Sequence, residues 1–112
     1  MKKVEMKPVT ETVQVEVDSK ALKMDRDVQT VLGNEMAKEP MMIEIQLGLT
    51  KQLKKYESAK ITITLSGPTS EETLEVDYDR RKAWIENKIS QEVESINKAL
   101  AAMENESGSF DI

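Results

Sequence analysis

Three stretches of the chain alternate apolar and polar side chains with a period of two, the signature of half-buried strands. Thr12-Val-Gln-Val-Glu-Val17 puts Val13, Val15 and Val17 on one face. Met41 to Leu49 puts Met41, Ile43, Ile45, Leu47 and Leu49 on one face and Glu44, Gln46 and Gly48 on the other. Lys60-Ile-Thr-Ile-Thr-Leu65 turns Ile61, Ile63 and Leu65 inward and its threonines outward. The connector Thr50–Ala59 is longer than a tight hairpin loop. Antiparallel pairing is the simplest topology, with the Val13–Val17 strand at one edge. Residues 21–39 are ambiguous: Asp25 as a cap would open a short helix carrying Val28, Val31, Leu32 and Met36, with Gly33 inside it and Pro40 ending it.

After a Gly67-Pro68 turn the period changes. Leu74, Tyr78, Ile85, Ile89, Val93, Ile96, Leu100 and Met103 recur at three-, four- and seven-residue steps. Thr69-Ser-Glu-Glu72 fits a capping box, and Glu71, Glu72 and Glu75 suit the positive end of the helix dipole. The predicted helix has roughly 30 residues and is about 45 Å long. Its stripe is interrupted near Arg81–Lys82. Strands of about 17–20 Å use only about half of such a helix. Val93, Ile96, Leu100 and Met103 are therefore expected to pair with the same residues of a second chain.

The expected fold is α+β: a small antiparallel sheet of about three strands, packed by one long C-terminal helix, assembled as a homodimer. Residues 1–8 read as a flexible arm, 9–103 as a single domain and 104–112 as a disordered acidic tail.

Composition narrows the chemistry. The 112 residues include no Cys and no His. Disulfides, thiolate metal sites, histidine bases and nucleophile–histidine dyads are thus excluded. The four glycines never cluster, so no phosphate loop can be drawn. Asp25-Arg-Asp27 lacks the glycine and distal glutamate of a calcium loop. Glu75 and Asp79 share a helix face and read as solvated. No enzyme, cofactor or metal is expected.

Net charge is −5, and residues 69–112 hold 11 of the 21 acidic side chains against 5 of the 16 basic ones. Such a balance disfavours broad binding to a phosphate backbone. No apolar run approaches the ~18 residues of a membrane span, and the N-terminus has no apolar signal core. A cytoplasmic protein without a membrane partner is expected.

One basic segment stands apart. Thr50 to Lys60 carries Lys51, Lys54, Lys55 and Lys60 around Tyr56. Lysines neutralise phosphates and a tyrosine can stack on a base, which makes these five residues a candidate site for single-stranded nucleic acid. The simpler reading is a soluble loop with Tyr56 tucked under the sheet. The tail ending Phe110-Asp111-Ile112 resembles the acidic-aromatic tail tips of bacterial and phage single-stranded DNA-binding proteins, which implies partner recruitment.

Lys55-Tyr-Glu-Ser-Ala-Lys60, the alternating strand after it, the proline-containing turn and the acidic helix with Tyr78 and Trp84 resemble a group of small uncharacterised proteins of bacteriophages and prophages. The likeness spans residues 46–97, and no site residue is attached to it. It implies a phage-encoded, non-enzymatic role in the infected cell, acting on a host or phage protein. The leading expectation is an accessory or host-interaction protein working through protein–protein binding. The alternative is a single-strand nucleic-acid-binding accessory protein with a partner-recruiting tail. A lysine- or carboxylate-dependent enzyme ranks last.

Overall fold

The computed structural model describes residues 4–20, 22–54 and 56–108, the last five of them without their side chains. The chain is α+β. Strands β1 (Val4–Asp18), β2 (Arg26–Lys38), β3 (Met41–Lys54) and β4 (Glu57–Thr69) precede one helix, α1 (Leu74–Gly108). The strands form one antiparallel sheet in the order β2-β1-β4-β3. The molecule is a rod, 75 Å by 20 Å by 19 Å.

The inward alternation holds. Val9, Val13 and Val15 of β1 and Ala59, Ile61, Ile63 and Leu65 of β4 are buried, together with Ile85 and Ile96 of α1. Directly paired residues of an antiparallel sheet point to the same face. Val13 sits opposite Ile63 and Val15 opposite Ile61, while Ile63 also faces Leu47. These rows form the floor on which α1 lies, over β3 and β4.

Several expectations are corrected. The strands run 13 to 15 residues, about 45–50 Å, so the sheet is as long as the helix. Ile96 is fully buried in the chain's own core, and Val93, Leu100 and Met103 pack against that core. Ile96 is thus spent on the chain's own sheet, while Val93, Leu100 and Met103 cover that sheet and keep part of their surface exposed. Residues 26–38 are a fourth strand, not a helix. The spacing of Val28, Val31, Leu32 and Met36 mimics a helical face because a bulge at Leu32 shifts the register between Val31 and Gly33. Gly33, with φ of 150°, supplies a backbone that favours glycine. β1 is an inner strand rather than an edge, and it begins at Val4, inside the segment expected as an arm.

The connector is mostly strand, since β3 runs to Lys54 and β4 starts at Glu57. Gly67 and Pro68 are also strand, opposite Ile43 and Met42. The helix starts one turn later than the capping box suggests. Thr69 stays in β4, fully buried, and the Asp77 amide donates to the Thr73 carbonyl as the first helical bond. α1 continues to Gly108, through the first part of the expected tail. Phe110, Asp111 and Ile112 lie outside the described residues.

Candidate functional site

Two regions carry chemistry: a polar junction under the first turns of α1, and the sheet face that the helix leaves open.

The junction sits where the ladder between β1 and β4 stops. That ladder ends at Thr10 and Ser66. Pro8 and Pro68 follow, and proline has no N–H to continue a ladder. The released Pro68 carbonyl accepts a hydrogen bond from Arg81 Nη2 at 2.6 Å. Arg81 occupies the apolar stripe of α1 four residues before Ile85 and is only 2% exposed. A Cβ on Gly67 would lie 3.1 Å from the Arg81 guanidinium carbon and 3.1 Å from Val9 Cγ2, so the glycine makes room for the arginine.

Glu35 of β2 ties the junction to the helix. It accepts from Arg81 Nη2 at 3.0 Å and from Arg80 through both guanidinium nitrogens, at 2.7 Å and 3.2 Å. The Arg80 hydrogen bonds hold the Glu35 carboxyl below its ordinary pKa against the opposing effect of burial, and Arg81 adds to the effect. Burial pushes Asp77 upward, but hydrogen bonds from Thr69, Thr73 and Arg80 outweigh it and leave Asp77 lowered. Arg80 is raised in turn, chiefly by Glu35. The Trp84 indole N–H donates to Glu11 at 2.7 Å, and Glu11 is a carboxylate only 5% exposed on the inner face of β1. Further along, Arg26 of β2 pairs with Glu92 of α1.

A cavity of about 340 Å³ opens beside the junction, lined by Val9, Leu32, Asn34, Glu35, Arg81 and Trp84 among others. Glu35 is shared by Arg80 and Arg81, while Arg81 Nε and Nη1 are buried without a hydrogen-bond partner. No nucleophile stands next to a base there, and no group of three metal-ligating side chains occurs among the described residues. Chemically the junction is a clamp that fixes α1 across β1 to β2.

The open face is different. Thr10, Thr12, Gln14, Thr62, Thr64 and Ser66 fill its centre by register. At the end near the start of α1 it turns apolar. Met6 faces Met36 directly across β1 and β2, and Val4 follows on the same side. These three are 61%, 69% and 50% exposed. Met42 of β3 adds a fourth exposed apolar side chain across β4. A depression of about 360 Å³ adjoins the patch, lined in part by Val4, Met36, Ala37, Ser70 and Thr73.

The lysine set does not converge. Lys51 is paired with buried Ala59, on the helix side, whereas Lys60 lies on the opposite face between Glu16 and Thr50. Lys54 is opposite Glu57. Tyr56 is 88% exposed in a left-handed conformation, with φ of 67°, rather than tucked under the sheet. Lys55 lies outside the described residues. Sequence reasoning missed Glu11, Glu35 and Arg81. Two of them carried a signal: Glu11 shares the inward parity of Val13, and Arg81 breaks the helical stripe.

No helix among the described residues is long and apolar enough to cross a membrane. Comparison with family models, with curated proteins and with solved structures gave no match.

Proposed function

We propose that this chain is a non-enzymatic binding protein that docks a protein partner on the open face of its sheet, in the manner of a phage-type accessory or host-interaction protein. The observation that carries this reading is the exposed cluster of Val4, Met6, Met36 and Met42 on a face that no helix covers. Apolar side chains placed together on a surface rimmed by polar residues mark contact sites. Methionine adapts its shape to a partner at low cost. The partner is taken to present an apolar anchor to the methionines and hydrogen-bonding groups to the threonine rows.

Affinity capture tests the reading. Met6→Glu/Met36→Glu should lose the protein retained by the wild type while keeping its circular dichroism and melting temperature. Thr64→Glu, on the same face but at its centre, should weaken capture less. Equal capture by the wild type and the double variant would remove the patch as the site. Single-stranded nucleic acid is the weaker reading, because the candidate lysines divide between the two faces.

A further inference from the structure

The two edges of the sheet are built differently. β2 is interrupted by its bulge at Leu32 and by Gly33, and such irregularities blunt an edge against pairing. β3 holds an unbroken register with β4 from Met41 to Gln52 and contains no proline. Its outer edge leaves a row of backbone N–H and C=O groups unpaired. Its inward side chains are also incompletely covered: Leu49 is 41% exposed and Met41 43%, while Ile43 and Leu47 are only partly buried.

We propose that β3 pairs antiparallel with β3 of a second copy of this chain, making one eight-stranded sheet with both helices on the same face. β3 is self-complementary about Leu47. With Leu47 opposite itself, Ile45 meets Leu49 and Ile43 meets Lys51 on the helix side. Gln46 meets Gly48 and Glu44 meets Thr50 on the open side. No like charges are opposed, and a two-fold axis satisfies the isologous geometry of a closed dimer.

The helices fit the same axis. α1 lies over β3 and β4. Two helices so placed sit two strand spacings apart, about 10 Å, which is a normal helix-packing distance. Trp84 reaches Glu11 and Glu92 reaches Arg26, so the level of Leu47, opposite Ile63, falls near Ile89. Arg81, Trp84 and Glu92 point toward β1 and β2. Helical periodicity then turns Ile89, Val93 and Leu100 toward β3 and the second helix. All three are only partly buried within one chain. The flank is about 20 Å deep. A ladder over residues 42–52, symmetric about Leu47, is about 36 Å long, and the contact therefore approaches the ~800 Å² per partner of a stable interface. The dimer would display two methionine patches on one continuous face, but it does not depend on the partner reading and is read out separately.

Sedimentation of the wild-type chain at tens of micromolar should give twice the chain mass. The absence of native cysteine allows a direct test of register. Leu47→Cys should cross-link to itself under mild oxidation. Val28→Cys, on the other edge, should not. Leu49→Lys should give a folded monomer by circular dichroism and sedimentation. A monomeric wild type would overturn the proposal. A dimer that survives Leu49→Lys and leaves Leu47→Cys reduced would overturn it equally, by placing the contact elsewhere.

Discussion

The two faces of the sheet share their strands and differ in everything else. On the covered face Ile61, Ile63 and Ala59 have no solvent exposure, and Ile85 and Ile96 of α1 close over them. On the open face the same strands carry Thr62, Thr64 and Ser66, with methionines gathered at one end. The first face holds the fold together through apolar burial. The second contributes little to the core, and its methionine end is exposed to solvent. Substitutions should therefore separate into those that cost stability and those that cost binding.

The largest expected effect is on the covered face. Ile63→Ala should destabilise the chain by about 2–5 kcal/mol in chemical denaturation. Its neighbour Thr64→Ala, facing the other way, should stay within about 0.5 kcal/mol. Similar losses from both would break the comparison.

The polar junction comes next. Arg81→Ala removes a fully buried side chain and leaves a cavity, for an expected loss of about 2–4 kcal/mol. Gly67→Ala presses on a guanidinium held by Glu35 and Pro68 and on buried Val9, and should cost about 1–2 kcal/mol. If Gly67→Ala is neutral by thermal melting, the close approach of Arg81 is not a constraint.

Acid should weaken the same region. Glu35 and Asp77 have carboxyls lowered in the folded state. Their contribution is fully present above the ordinary carboxylate range of about 4–4.5 and is lost as pH falls through their folded values. The melting temperature should be flat above about pH 5 and decline below it. Glu35→Gln should decline less steeply over the same range. The smallest effect is expected at the turn between β2 and β3. There Glu39 holds a left-handed φ of 46°, and Glu39→Gly should raise stability by up to about 1 kcal/mol in the same denaturation assay.

Strand alternation made β1, β3 and β4 legible because each has one face in the core. β2 was not legible. Val28 points to the helix side, Val31 to the open side and Leu32 occupies the bulge, so no single period describes it. The fate of the helix stripe depended on strand length. The polar residues Lys51, Gln52 and Lys54 hid the continuation of β3, and Pro68 hid that of β4. The methionine patch was invisible for a further reason: Met6 is far in sequence from Met36 and Met42, and only the order β2-β1-β4-β3 brings the three to one face at one end. Glu35 was silent too, because its meaning comes from Arg80 and Arg81, 45 and 46 residues away.

The most direct test uses the methionines themselves. The protein is prepared with photo-reactive methionine, irradiated in lysate of cells that produce it, and the cross-linked positions are mapped by mass spectrometry. Cross-links to a second protein concentrated at Met6, Met36 and Met42, and sparse at Met24 and Met103, are the expected result. Cross-links confined to Met24 and Met103, which pack against the core, would contradict the assignment of the open face as the docking surface.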